Sequence, residues 1–304
     1  MARERNAIII APWGFPPQWR KAKYKFKFNR KGIKISETEC HACNSTLVLA
    51  ARLQESGIVN IEKIIVIGLD SVIAPSEQTN SNHRKFVKEW FSKVIDKLIE
   101  KCDCCKKLEK PLFEIVIAPG IGNYYGYSFE GTANHIFITT YSAILKVLKG
   151  NQEEVRHRDI FLDITHGINY QVTAVLYATI AALLSYNPKE KVEDRLYIVN
   201  SEPYPTGYRS EGCVERVKIS QIEGMPEMEI LDFTELHNAI RALRAITSMI
   251  KLDERPLKDY IKSLGGEILD SEIGEIRDKL NELVKFFKLL RLGLAGLVLS
   301  LIHI

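Results

Sequence analysis

Five stretches of this chain are short, apolar almost without interruption, and bounded by turn residues: Ala7–Ala11, Ile64–Leu69, Phe113–Ala118, Ile160–Asp163 and Leu196–Val199. A strand with one wet face alternates apolar and polar residues. These runs do not alternate, so both of their faces must be covered. Between them lie longer segments of helical character, Thr46–Gln54, Phe86–Lys101, Ile136–Leu148 and Val172–Leu184. In the second of these, Phe86, Val87, Trp90, Phe91, Val94, Ile95 and Leu98 recur at helical spacing. Strand–helix alternation with doubly covered strands predicts an α/β fold, a parallel sheet flanked by helices on both faces.

The alternation stops near residue 205. Val214–Ile219 and Met228–Phe233 flank Glu223-Gly224-Met225-Pro226, which reads as a two-stranded hairpin. From Thr234 onward the pattern is helical, over Leu236–Leu252, Leu257–Ser263 and Ser271–Leu292, with Pro256 and Gly265-Gly266 as punctuation. The chain thus divides into an α/β domain over 1–205, a hairpin connector over 206–235, and the start of a helical domain over 236–304. Leu292–Ile302 is eleven residues of apolar sequence, too short to span a bilayer. It continues an amphipathic helix, loses that helix's charges and stops at Ile304, so the chain is expected to be cut, or to end in foreign sequence, inside a longer helical domain, with a buried C-terminal helix as the alternative. The N-terminus shows no secretory pattern, and the expectation is a cytoplasmic protein with no membrane partner.

With 46% apolar and 26% charged residues over 304 positions, disordered and fibrous classes are excluded and a sizeable core is assured. A net charge of +4 tolerates a phosphate-bearing ligand without marking a nucleic-acid surface. The six cysteines fall as Cys40-His41-Ala42-Cys43, Cys102-Asp103-Cys104-Cys105 and Cys213. The first two groups together resemble a zinc site, but the second has unusual internal spacing. Free thiols and no bound metal are the expectation, with disulfides the thermophile alternative.

Four strands end in unusual turns, at Pro12–Trp19, Gly68–Ser71, Pro119–Gly122 and Asp163–Asn169. In a doubly wound sheet these turns gather at one edge, where such folds bind ligands. The turn Asp163-Ile164-Thr165-His166-Gly167-Ile168-Asn169 concentrates acceptors and donors in one small arc, with Gly167 permitting close backbone approach. Trp13 and Trp19 offer aromatic faces for bases, and Gly14, Gly120 and Gly122 allow backbone to come near a ligand. Lys21, Lys23 and Lys25 stand just beyond the first turn. A nucleotide-like ligand follows from the repetition along four strands. Dinucleotide binding does not: Gly120-Ile121-Gly122-Asn123-Tyr124-Tyr125-Gly126 has one residue too many for the fingerprint and runs into an aromatic loop rather than a helix. His166 has the chemistry of a general base, but no positioned nucleophile accompanies it, so a ligand contact is preferred to a catalytic role.

Asp163-Ile164-Thr165-His166-Gly167 resembles the D-x-T-H-G signature of the CRISPR-associated Rossmann-fold (CARF) proteins of type III systems, whose best-known members are Csx-one-like sensor ribonucleases. Ala11-Pro12-Trp13-Gly14-Phe15-Pro16, with Tyr24-Lys25-Phe26 behind it, is similar to that family's first-strand loop. Pro119-Gly120-Ile121-Gly122, followed by Phe129-Glu130-Gly131, resembles its glycine loop. The resemblance spans about residues 6–235. It implies a Rossmann-like CARF domain that forms a homodimer, with a pocket on the dimer axis for cyclic oligoadenylate, most often the cyclic tetramer. It further implies a C-terminal HEPN domain acting as a metal-independent ribonuclease on single-stranded RNA in antiviral defence. A two-fold ligand suits an isologous interface, and a ligand bound across it can shift a two-state dimer. The resemblance assigns ligand contacts to Trp13, Gly14, Gly120, Gly122, Asp163, Thr165, His166 and Gly167, and the local pattern adds Asn169.

The HEPN signature, Arg-x(4–6)-His, is a departure: no Arg in these residues is followed by His at that spacing, and His303 lies twelve residues after Arg291. No catalytic residue is therefore expected here. Two other functions compete. One is a ring nuclease that cleaves its messenger in the CARF pocket. The other is a CARF transcription regulator, against which Leu236–Leu292 shows no basic recognition helix.

Overall fold

The computed structural model describes residues 5–75, 82–106, 108, 112–150, 157–187, 190–202 and 212–214. The first strand, β1 (Arg5–Pro12), is buried from Ala7 onward and runs into a hairpin of β2 (Ala22–Arg30) and β3 (Ile33–Ala42). Helix α1 (Ser45–Glu55) leads into β4 (Val59–Leu69), and α2 (His83–Glu100) into β5 (Phe113–Ala118). A second hairpin, β6 (Ile121–Tyr124) and β7 (Tyr127–Glu130), precedes α3 (Ala133–Lys149). Strand β8 (Asp159–Asp163), helix α4 (Asn169–Tyr186) and strand β9 (Leu196–Val199) complete the described elements.

The five long strands form one sheet in the order β5-β4-β1-β8-β9, and all four pairings are parallel. The chain first builds outward from β1 through β4 to β5, then returns to the other side of β1 for β8 and β9. That reversal makes the β1–β8 boundary the switch point of a Rossmann-like α/β fold. The core of the sheet is continuous: Ile8, Ile9, Ile10, Ile64, Ile65, Val66, Ile67, Ile160, Phe161 and Leu162 have no exposed surface. Burial on both sides is what the unbroken apolar runs predicted, and strands β5 and β9 begin and end where they were expected.

The molecule divides into two compact units. The first holds all five sheet strands, both hairpins, α1 and α2. The second takes the bodies of α3, from Phe137 onward, and of α4, from Ala174 onward. Within it the Tyr141 hydroxyl donates to Ser185 Oγ at 3.0 Å. The predicted hairpin at Val214–Ile219 and Met228–Phe233 and the helices after Thr234 lie outside the described residues, apart from Val214.

Two features differ from the sequence reading. Ile121–Tyr124 and Tyr127–Glu130, after Pro119-Gly120, form a hairpin rather than a loop, because Tyr125 and Gly126 both take positive φ and close a two-residue turn. The cysteines are paired, not free: Cys40 with Cys104, Cys102 with Cys105, and Cys43 with Cys213. The end of α2 returns the 102–105 turn to the end of β3, where the Asp103 amide donates to the His41 carbonyl at 3.0 Å.

Candidate functional site

At the switch point, the turns after β1 and β8 are tied together. The Gly14 amide donates to the His166 carbonyl at 2.8 Å, and the Trp13 amide extends the sheet to the Ile67 carbonyl at 2.8 Å. A side chain on Gly14 would meet Ile168 Cγ1 at 2.9 Å and the His166 carbonyl at 3.0 Å. Gly167 is packed as closely, against Val172 and Pro12. Both glycines let two turns touch.

Asp163 sits at the end of β8, 2% exposed, and its carboxylate accepts four hydrogen bonds. Oδ2 takes the hydroxyls of Ser45 at 2.6 Å and Thr46 at 2.7 Å. Oδ1 takes the Thr165 hydroxyl at 2.6 Å and its amide at 3.1 Å. Thr46 in turn accepts the Trp13 indole N–H at 3.1 Å. Thr165 Oγ1 accepts the Ser201 amide at 2.9 Å. One buried carboxylate thus organises the starts of α1 and the strand-end turn, with each donor satisfied.

His166 caps the same helix. The amide of Ser45, the first residue of α1, donates to His166 Nε2 at 3.1 Å, and the Tyr24 hydroxyl lies 3.4 Å from that nitrogen. Nε2 must therefore carry the lone pair and Nδ1 the proton. Burial pushes the imidazole down to about 4, and the nearby Asp163 charge opposes that shift only in part. A helix N-terminus also disfavours an imidazolium. Trp19 packs on the ring with centroids 4.5 Å apart, and Trp13 meets Trp19 edge-on at 5.3 Å. Burial, and behind it the Asp163 carboxylate, raises the Tyr24 phenol well above its usual range, so it stays a donor.

The structure therefore brings Trp13, Gly14, Asp163, Thr165, His166 and Gly167 into one cluster. Trp13 is wholly buried, while Asn169 opens α4 on the exposed side of the turn. Gly120 belongs to a second cluster at the ends of β4 and β5. Its amide donates to Asp70 Oδ1 at 2.6 Å, its carbonyl accepts the Gly131 amide at 2.9 Å, and Arg84 Nε holds Asp70 Oδ2 at 3.0 Å. Gly122 is exposed, with φ of +102°. Ser45, Thr46 and Tyr24 were missed as site residues, since only tertiary structure brings them to His166.

The five-stranded parallel sheet defines a Rossmann-like α/β domain, and its polar strand-end turn stands at the switch point, where such folds as a class bind ligands. The family described as "CRISPR system endoribonuclease Csx1, CARF domain" matches residues 8–203. The chain belongs to this family. It is 29% identical over 204 residues to the CRISPR system endoribonuclease Csx1 of Methanocaldococcus jannaschii, across 65% of this chain and 37% of that protein. The chain thus spans little more than a third of that relative's length. Among the described residues no helix is long and apolar enough to cross a membrane.

Proposed function

We propose that this chain is the sensing part of a type III CRISPR defence protein. Its CARF domain binds cyclic oligoadenylate, the tetramer first, across a homodimer, and passes that state to a C-terminal HEPN ribonuclease acting on single-stranded RNA in the cytoplasm. The observation that carries the reading is the position of Asp163–Gly167, at the sheet's switch point in a chain of the CARF family. In this reading Asn169, Thr165 and the edge of His166 meet the ring, with Gly120 and Gly122 on its far side. Trp13, Gly14, Gly167 and the Asp163 carboxylate hold the turn in shape behind them. A neutral His166 favours recognition of adenine or ribose groups by hydrogen bonding.

Cutting the ring is disfavoured by one detail. His166 Nε2 already accepts the Ser45 amide, so that lone pair is not free to take a proton from a ribose hydroxyl. The test is a thermal-shift series on the full chain with cyclic tetra-adenylate, cyclic hexa-adenylate and linear tetra-adenylate. Stabilisation by a cyclic form, lost in Asn169→Ala and reduced in Thr165→Val, supports the reading. No shift with any of the three overturns it. Chromatography of the recovered ligand should show the ring intact.

A further inference from the structure

Four cysteines converge on one point where β3 meets the turn after α2. Cys40 Sγ lies 3.8 Å from Cys102 Sγ, Cys102 Sγ lies 3.7 Å from Cys104 Sγ, and Cys104 Sγ lies 3.9 Å from Cys105 Sγ. The thiol atoms of Cys40, Cys102 and Cys104 are all within 4.8 Å of one another. Cys40, Cys102 and Cys105 are at most 3% exposed. Cys43 stands apart, joined to Cys213.

The Cys40–Cys104 and Cys102–Cys105 bridges lie side by side because Cys104 and Cys105 are neighbours in the chain, and Cys40 comes to them from β3, 62 residues before Cys102. An ion held by four thiolates requires all four to meet. Zinc–thiolate bonds of about 2.3 Å in a tetrahedron place neighbouring sulfurs about 3.8 Å apart. The three separations between sulfurs that are not bonded to each other fall around that value. Cys102 and Cys105 also have the C-x2-C spacing of structural zinc sites. The backbone supports the same convergence: the Asp103 amide is bonded to the His41 carbonyl, and the His41 ring meets the Asp103 carboxylate at 3.2 Å.

We infer that Cys40, Cys102, Cys104 and Cys105 form a four-thiolate site for a zinc ion when the chain is reduced, clasping the β2–β3 hairpin to the end of α2. The bridged and metal-bound forms are alternatives. A thiol reductant supplies two electrons and two protons to each disulfide and is itself oxidised, leaving four thiols. One Zn²⁺ then displaces their four protons and forms four Zn–S bonds. A small-molecule disulfide reverses this: two equivalents each take two electrons and leave as thiols, the four thiolates close into Cys40–Cys104 and Cys102–Cys105, and the ion, without ligands, is released. Such a site explains the odd Cys102-x-Cys104-Cys105 spacing, because its remote partner is Cys40 and not Cys43.

The full chain, purified anaerobically with a thiol reductant and no chelator, tests this by elemental analysis. One zinc per chain is expected, and cobalt replacing it should give the intense visible absorption and sulfur-to-metal charge-transfer band of a tetrahedral thiolate complex. Cys102→Ser and Cys104→Ser should lose the metal, and Cys43→Ser should keep it. Should the serine variants fail to fold, mercurial titration of the parent decides, with zinc released as four thiols are blocked while Cys43 and Cys213 remain outside that count. Absence of zinc with no cobalt spectrum, both bridges surviving the reductant in peptide maps, or release tracking Cys43 would overturn the inference.

Discussion

Replacing Asp163 by Asn removes one acceptor oxygen from a carboxylate that serves four donors. The asparagine keeps a single oxygen, so it can satisfy either the Ser45 and Thr46 hydroxyls or the two donors of Thr165. Turning its oxygen toward Thr165 is the better choice, because hydroxyls can rotate and an amide N–H cannot. Thr46 then faces an amide donor while it also accepts the Trp13 indole N–H. Two charge-assisted bonds are lost, each contributing ~1.5–3 kcal/mol, and part of that is recovered because a charge no longer has to be desolvated. The expected loss is on the order of 3 kcal/mol. At ~2–4 °C per kcal/mol for chains of this size, the melting temperature should fall by ~6–12 °C. Circular dichroism on heating and urea unfolding both measure it. A Thr46→Val change should cost less in the Asp163→Asn background than alone, since part of its bond is already gone. A variant melting within ~2 °C of the parent would show that the carboxylate does not organise this turn.

The His166 imidazole gives a pH dependence of definite sign. Its value is about 4 when folded and 6.5 in an ordinary environment. The unfolded chain therefore takes the proton first. The parent should lose stability relative to His166→Gln as pH falls from 6.5 to 4, by an amount on the order of 3 kcal/mol, with no change above pH 7. Urea midpoints that keep a constant difference across that window would remove the neutral imidazole from the account. Gly167→Ala places a methyl group against Val172 and 3.0 Å from Pro12 Cβ, and should cost ~1–3 kcal/mol by overpacking, read in the same urea series. Trp19→Ala exposes the His166 ring face and should return its titration, followed by NMR, toward the ordinary value.

The sheet was legible because its strands are short apolar runs bounded by turn residues and separated by longer helical segments, and that length and punctuation, more than the apolar pattern that α4 shares, mark them as strands covered on both faces. Hairpins were harder. In β3 the run Ile33-Lys34-Ile35-Ser36-Glu37 alternates only briefly before Glu37, Thr38 and Glu39 break the pattern, and the pairing is interrupted by an irregularity between Phe26 and Phe28. Lys31 and Gly32 both have positive φ, and Tyr125-Gly126 repeats the arrangement in the second hairpin. An X-Gly pair closing each turn was the available signal. At the site, Asp163, Thr165 and His166 announce themselves by sitting together after an apolar strand. Their partners Ser45, Thr46 and Tyr24 are more than a hundred residues away, and nothing in local spacing links them. The same distance hid the thiol cluster, since Cys40 and Cys102 are joined by the fold alone.

Calorimetric titration of the full chain with cyclic tetra-adenylate tests the sensing role most directly. Saturable heat at one ring per two chains is expected, with the melting temperature raised as ligand exceeds its dissociation constant, by about 2.7 kcal/mol of added stability at a hundredfold excess. A flat titration of a folded, dimeric preparation, with unfolding unmoved by the ligand, would contradict it.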